Sequence, residues 1–300
     1  MTDRATASTD TWTLRRLLTW TRSYFQSNGL DEPRLTAELL LAHALGCRKI
    51  ELYTRFDQTP SDDQLAAFRE LVRTAVKGQP VAYLISRKEF YTLDFHVTPD
   101  VLIPRPETEL IVERVLVWCD ENPRERFDIL DVGTGSGCIA VVIAARQPAA
   151  HVVATDCSIE ALKVADQNSR QHEVGDRVRF VRADMLDLPD DAVPAGGFDI
   201  VVANPPYVAK NDPDALADNV RAFEPSTALF GGEDGLDAFR RIAGGIGRVL
   251  RSGGTLILEI GDGQADAVET ILVGAQGLEP LERHRDLAGV ERVVQFGFST

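Results

Sequence analysis

Phe198-Asp199-Ile200-Val201-Val202-Ala203-Asn204-Pro205-Pro206-Tyr207-Val208 is the stretch on which the reading of this 300-residue chain turns. Its first half is an apolar, β-branched run, the pattern of a strand buried on both faces of a parallel sheet. The run stops at two consecutive prolines, which lack N–H donors and cannot extend a hydrogen-bonded ladder. Asn204 therefore falls at the carboxyl end of a central strand, where open α/β sheets bind their ligands. Asn204, Pro205, Pro206 and Tyr207 suit transfer to a planar NH2 group, whose delocalised lone pair makes it a poor nucleophile. The Asn204 side-chain carbonyl and the Pro205 backbone carbonyl accept its two hydrogens. They hold the nitrogen in line with an electrophile and favour the positive charge that develops on it. Tyr207 offers a flat face for a planar substrate. Alone, the segment reads equally well as a strand followed by a proline-rich turn, and a second motif has to decide.

Around this stretch, strands and helices alternate from Phe127 onward. Strands are expected at Phe127–Asp131, His151–Asp156, Val178–Val181, Phe198–Ala203, Thr255–Glu259 and Arg292–Phe298. Helices are expected at Cys138–Arg146, Ile159–Arg170, Leu236–Leu250 and Gly263–Val273, the rhythm of a doubly wound α/β sheet. The first 80 residues have helical periodicity instead. One helix runs from Thr11 to Asn28-Gly29, and a second opens at Asp31-Glu-Pro33 and stops at Gly46. A short one covers Lys49–Tyr53, and a fourth starts from the capping box Ser61-Asp-Asp-Gln64. Gly78-Gln-Pro80 breaks the pattern, and Glu89–Tyr91 with Asp94–Val97 reads as a hairpin. The two prolines of Val101–Glu109 fix an extended entry to a helix reaching about Cys119, with Glu107 and Glu109 in its first turn. The expected organisation is a disordered tail at 1–10, a helical domain at 11–80, a linker hairpin at 81–104 and the α/β domain at 105–300.

Composition narrows the function. Residues 1–100 carry 13 Lys and Arg against 13 Asp and Glu, so the whole net charge of −14 lies beyond residue 100. An acidic α/β half repels a phosphate backbone, and direct nucleic-acid binding is not expected. No apolar run is long enough to span a membrane, and the first residues lack the apolar core of a signal peptide. Cys47, Cys119, Cys138 and Cys157 form no Cys-x-x-Cys pair, which fits structural thiols in a reducing cytoplasm and no metal site. No heptad appears, and a monomer is expected.

The deciding motif is Asp131-Val132-Gly133-Thr134-Gly135-Ser136-Gly137, which closes the first strand and opens a helix. Its glycines allow a tight turn and a close backbone approach by a ligand. A dinucleotide site is the competing reading, but counted from Gly133 its third glycine position holds Cys138. Asp131 suits an ammonium group better than a pyrophosphate. Asp156, at the end of the second strand, can accept both ribose hydroxyls of an adenosine. Asp184 can accept from an adenine amine, and Met185 can cover the ring. Four consecutive strand ends carrying such groups fit S-adenosyl-L-methionine, which is cationic and lacks phosphate.

This order of motifs resembles the class I S-adenosylmethionine-dependent amino-methyltransferases. Gly78-Gln-Pro-Val-Ala-Tyr-Leu84, the Pro-Arg-Pro-Glu-Thr-Glu core of Val101–Glu109, and Phe223–Leu236 are similar, more narrowly, to the peptide chain release factor glutamine N5-methyltransferases. The resemblance spans about residues 11–298 and implies a mostly parallel seven-stranded sheet with a small helical domain for substrate recognition. It implies cofactor contacts at Gly133–Gly137, Asp156, Met185 and Asn204, and a substrate glutamine of a release factor held by Asn204–Tyr207. The sulfonium is an activated donor, so neither a metal nor a strong base is required, and His96, His151 and His284 are expected to be structural or surface residues. Two positions depart from the family. Ser86 stands where a glycine is usual, and Met185 replaces an aromatic residue found in some members. Nucleobase amines, a ribosomal-protein glutamine and a non-catalytic binding role are the alternatives.

Overall fold

The computed structural model describes residues 11–212, 216–274 and 277–299, and the chain divides into two compact units between Ser86 and Arg87. The tail expected to be disordered, 1–10, lies outside the described residues.

The first unit is built from α1 (Leu14–Ser27), α2 (Pro33–Leu45), α3 (Lys49–Thr54), α4 (Asp62–Val76) and the single turn α5 (Val81–Leu84). The capping box forms as its spacing predicts: Gln64 N donates to Ser61 Oγ at 3.3 Å and Ser61 N to Gln64 Oε1 at 3.0 Å. Pro33 opens α2 and Gly46, at φ 62°, closes it. Leu14, Phe25, Leu40, Phe68 and Val72 bury the facing stripes of these helices as one core. Ser86 ends the unit at φ 52°, a left-handed conformation that glycine takes without steric cost.

The second unit opens with a hairpin of β1 (Arg87–Phe90) and β2 (Leu93–His96), paired Phe90 to Leu93 across Tyr91-Thr92. Both turn residues have positive φ, 49° and 66°, the mirror-image turn usually made by Asn-Gly. Outside contacts hold it there. Tyr91 N donates to Glu109 Oε1 at 2.8 Å, and Arg146 Nη2 donates to Thr92 Oγ1 at 2.7 Å. Phe90 and Phe95 enter the main core beneath it.

The sheet contains β3 (Phe127–Val132), β4 (Ala150–Asp156), β5 (Val178–Arg182), β6 (Phe198–Ala203), β7 (Leu250–Glu259), β8 (Leu278–Arg285) and β9 (Glu291–Phe298). Their spatial order is β5-β4-β3-β6-β7-β9-β8; the first five run parallel, and β9 is antiparallel to both β7 and β8. All six residues of β6 are buried, as its apolar run requires. Ile200 and Val202 face the layer of α6 (Glu109–Glu121) and α7 (Cys138–Arg146). Val201 and Ala203 face the layer of α11 (Asp237–Gly245) and α12 (Ala265–Val273). Truncating Ile200 to alanine would cost roughly 2–5 kcal/mol, a large part of a domain's stability. The remaining helices are α8 (Ile159–Gln171) and the short α9 (Asp218–Phe223) and α10 (Ser226–Leu229).

Two expectations need correction. The helix placed at Leu236–Leu250 ends at Gly245, because the Gly244-Gly245 pair weakens it; a 3-10 turn follows, and β7 starts at Leu250. The strand periodicity also misses β8. Leu-Glu-Pro-Leu-Glu-Arg-His-Arg exposes most of its side chains at the sheet edge, where Pro280 and a register shift are tolerated.

Candidate active site

β3 sits between β4 and β6, so the sheet's crossovers change direction there and a crevice opens at the carboxyl ends of these strands. The loop from Asp131 to Gly137 fills its floor. Gly133, Gly135 and Gly137 all have positive φ, 72°, 54° and 80°. A Cβ added at Gly133 would meet nothing within 4 Å, whereas one at Gly137 would lie 2.9 Å from Ala165 Cβ of α8. The first glycine therefore faces open space and the third serves helix packing. Thr134 and Ser136 are buried within the loop, where Thr134 N donates to Thr155 O at 2.8 Å and Ser136 O accepts from Asn168 Nδ2 at 2.8 Å.

A narrow cavity of about 190 Å³ runs from Asn204 past Gly133 and Gly135 to Asp156, Asp184 and Met185. Asp156 already grips the loop, since its Oδ2 accepts from Gly135 N at 3.0 Å and its Oδ1 from Ser158 N at 2.9 Å. Asp184 is ion-paired at 2.8 Å with Arg241, so that the lining's one cation among the described residues is already neutralised. Met185 takes φ 57°, a strained turn at the cavity wall. Asp131 does not reach the cavity surface. It is fully buried, its Oδ2 accepts from Thr134 Oγ1 at 2.6 Å, and its Oδ1 has no hydrogen-bond partner. Burial pushes its carboxyl up to about 7 against the downward pull of the Thr134 hydroxyl. An acidic lining and an open Gly133 fit a cationic, phosphate-free ligand such as S-adenosyl-L-methionine.

Asn204 also lines a second cavity, of about 600 Å³, together with Arg105, Tyr207, Glu259 and Arg292. The Asn204–Val208 segment is clamped by the loop after α10. Val208 N donates to Leu229 O at 3.0 Å, and Gly231 N donates to Val208 O at 2.9 Å. A Cβ at Gly231 would collide with Pro206 O, and one at Gly235 with Tyr207 O, so both glycines permit a close backbone crossing. Pro205 and Pro206 line the first cavity and Tyr207 the second. Behind them runs a chain of side-chain hydrogen bonds. Asn204 Nδ2 donates to Thr108 Oγ1 at 3.0 Å, Thr108 Oγ1 donates to Glu259 Oε2 at 2.7 Å, and Tyr207 OH donates to Glu259 Oε1 at 3.3 Å. Burial raises the Glu259 carboxyl to about 7, opposed by the Thr108 and Tyr207 hydroxyls. Burial, then the nearby Glu259, raises the Tyr207 phenol as well. Arg105 Nη2 donates to buried Glu224 Oε1 at 2.5 Å, and Ile103 N donates to Glu224 Oε2 at 3.1 Å, tying the entry loop to α9.

The chain matches the PrmC N-terminal domain family over residues 16–85 and a methyltransferase domain family over residues 124–275. A release factor glutamine methyltransferase of Rhodopirellula baltica is 42% identical over 293 residues, covering 97% of this chain and 98% of that protein. The protein of the same name from Geobacter sulfurreducens is 40% identical over 289 residues, 96% of this chain and 98% of its own length. This chain belongs to the release factor glutamine methyltransferase family. The sheet is also that of the N-terminal domain of human METTL16 in complex with SAH, with a TM-score of 0.52 at 17% identity, covering 76% of this chain and 84% of that one. As a member of the release factor glutamine methyltransferase family, the chain is an S-adenosylmethionine-dependent methyltransferase, and the acidic slot is where this fold keeps its ligand crevice.

Within this methyltransferase, sequence reasoning missed Thr108, Glu259 and Asn168. Glu259 carried one usable signal: it ends β7, the neighbour of β6, at the same sheet edge as Asn204. Asn168 is buried mid-helix and bridges Ser136 O to both His96 N and His96 O. Burial holds the His284 ring below its ordinary value, against the upward pull of its hydrogen bond to Gln295. All four cysteines are free, and burial pushes Cys119 and Cys138 up to about 12. Among the described residues, no helix is long and apolar enough to cross a membrane.

Proposed function

We propose that this enzyme transfers the methyl group of S-adenosyl-L-methionine to the side-chain amide nitrogen of the glutamine in the Gly-Gly-Gln motif of bacterial peptide chain release factors. The observation that carries the reading is the placement of Asn204 on both cavities, with its Nδ2 committed inward to Thr108. Oδ1 is then the end of the amide that remains to accept from an arriving NH2 group. Gly133, Gly135, Asp156, Asp184 and Met185 hold the cofactor, with Asp131, Thr134, Ser136 and Gly137 shaping the loop beneath it. When bound, the cofactor supplies a methyl group already activated on a sulfonium. The chain's own work is orientation. Asn204 Oδ1 and the Pro205 carbonyl accept the two amide hydrogens, and Tyr207 flanks the planar group. Holding two oriented reactants together is worth effective molarities on the order of 10⁵ M or more. The methylated amide nitrogen is strongly acidic as the new bond forms, so water suffices to take its proton.

The N-terminal unit recognises the release factor, and the enzyme acts as a monomer in the cytoplasm on protein rather than nucleic acid. The test is methyl transfer from labelled S-adenosylmethionine to purified release factor, its Gly-Gly-Gln→Gly-Gly-Ala variant, ribosomal protein and RNA. Label on the wild-type release factor alone is expected. Label on ribosomal protein or RNA would move the substrate elsewhere while leaving the fold and cofactor in place.

A further inference from the structure

We propose that Glu259, acting through Thr108, is the positioning residue that sets which end of the Asn204 side-chain amide faces the acceptor. The inference deepens the function proposed above and rests on it. A side-chain amide presents a donor and an acceptor that differ little in shape, so packing alone cannot choose between its two orientations. Hydrogen-bond direction can. Above about pH 7, where Glu259 is ionised, its carboxylate only accepts, and a threonine hydroxyl has one hydrogen to give. Glu259 Oε2 takes that hydrogen from Thr108 at 2.7 Å, and Thr108 Oγ1 is left only able to accept. The Asn204 group facing it at 3.0 Å must then be the Nδ2 donor, which turns Oδ1 toward the substrate. The same carboxylate takes the Tyr207 hydroxyl hydrogen at 3.3 Å, so one buried group orients both the polar and the flat wall of the site. Glu259 and Thr108 are only 1% and 3% exposed, which keeps water from substituting for either bond.

Direction is lost if Glu259 becomes a donor. In Glu259→Gln the new amide can donate to Thr108, which then donates to Asn204 Oδ1 and allows the reversed, unproductive orientation. Thr108→Ala cuts the chain, whereas Thr108→Ser keeps the hydroxyl. The experiment compares these three variants with the wild type on release factor, measuring kcat, KM, cofactor affinity by calorimetry and thermal midpoint. Glu259→Gln and Thr108→Ala should each lower kcat roughly 10–100-fold, the scale of one lost orienting hydrogen bond, with KM and cofactor affinity within about threefold of wild type. Thr108→Ser should recover to within about threefold, and the double variant should be no worse than either single one, because both break one chain. Near-normal kcat in Glu259→Gln, additive losses in the double variant, or loss of cofactor affinity in step with kcat would each overturn the proposal.

A second readout needs no substrate. In ¹⁵N-labelled wild-type protein the Asn204 Nδ2 proton bonded to Thr108 should exchange with solvent roughly tenfold more slowly than in Thr108→Ala or Glu259→Gln, the effect of a closed buried hydrogen bond. Equal exchange in all three would overturn the chain. Protection with no methylation of release factor by the wild type would instead count against the assigned substrate.

Discussion

The two cavities that meet at Asn204 are built by opposite means. The floor of the cofactor-side cavity is one contiguous loop, Asp131–Gly137, which presents Val132, Gly133 and Gly135 to it. Its shape comes from backbone conformation, and Asp156 at the end of β4 braces it through Gly135 N. The acceptor-side wall is assembled from residues far apart in the chain. The Asn204–Thr108, Ile103–Glu224 and Thr108–Glu259 bonds span 96, 121 and 151 residues. A wall of backbone tolerates side-chain change except where a methyl group would enter the ligand's space. A wall of buried side-chain bonds fails when any one member is altered, because each leaves a polar partner unsatisfied.

Asn204 belongs to both walls, and its loss should produce the largest effect. Asn204→Ala removes the acceptor that orients the incoming amide and leaves the Thr108 hydroxyl without its donor. Turnover on release factor should fall on the order of 10³-fold, comparable to loss of a preorganised polar contact at a reacting centre. Cofactor affinity should stay within about tenfold, since the glycine loop and Asp156 remain. Turnover within a few-fold of wild type would mean that orientation does not come from this side chain.

Each wall also buries one carboxylate, Asp131 on the cofactor side and Glu259 on the acceptor side, both held up to about 7 chiefly by burial. A carboxyl whose folded value lies above its unfolded one binds its proton more tightly in the folded state. Stability is therefore fully present below the unfolded value near 4 and declines as pH rises toward 7. Between pH 5 and 8 the cofactor-free enzyme should lose roughly 2–3 kcal/mol per group, read as the urea midpoint. His284, whose ring is held below its ordinary value, contributes with the opposite sign. The informative quantity is therefore the difference between profiles. Glu259→Gln should decline less steeply than wild type by the share of one group, and parallel profiles would mean that Glu259 is already ionised at pH 5.

The same contrast explains what could be read from the sequence. The Asn204–Tyr207 terminus and the glycine loop were legible because their chemistry is local: prolines end the strand, and glycines supply positive φ. The succession of strands and helices followed from alternation, except at β8, whose charged edge carries no apolar period. Thr108 sits in a quoted motif yet passes as an ordinary residue at a helix start, and Glu259 passes as the polar end of an apolar strand. Only the pairing of β6 with β7 and the return of the chain after Arg105 bring them together. Side-chain networks across sheet edges have no period or spacing by which to be found. Asp156 shows a subtler limit. It was expected to hold a ribose, but it also braces the loop through Gly135 N and Ser158 N. Asp156→Ala should therefore weaken cofactor binding about 10–100-fold, the loss of one or two charge-assisted bonds. At saturating cofactor, kcat should change little. A fall in kcat with unchanged affinity would transfer Asp156 to the acceptor side of the comparison.

Gly133→Ala should give the smallest effect and tests the backbone wall directly. The position has φ 72°, which an alanine takes at a cost of about 1 kcal/mol once the stiffer unfolded chain is credited. No atom lies within 4 Å of the added methyl, so no collision adds to that strain. The fold should survive with a thermal midpoint lower by a few degrees. The methyl group nevertheless points into space that the cofactor must use, and affinity should fall by roughly tenfold while kcat at saturation holds. If stability fell but affinity did not, Gly133 would be a conformational glycine only, and the ligand would pass the loop at Gly135. If affinity fell and the strain proved negligible, the wall would be selected by the ligand's closeness rather than by the turn.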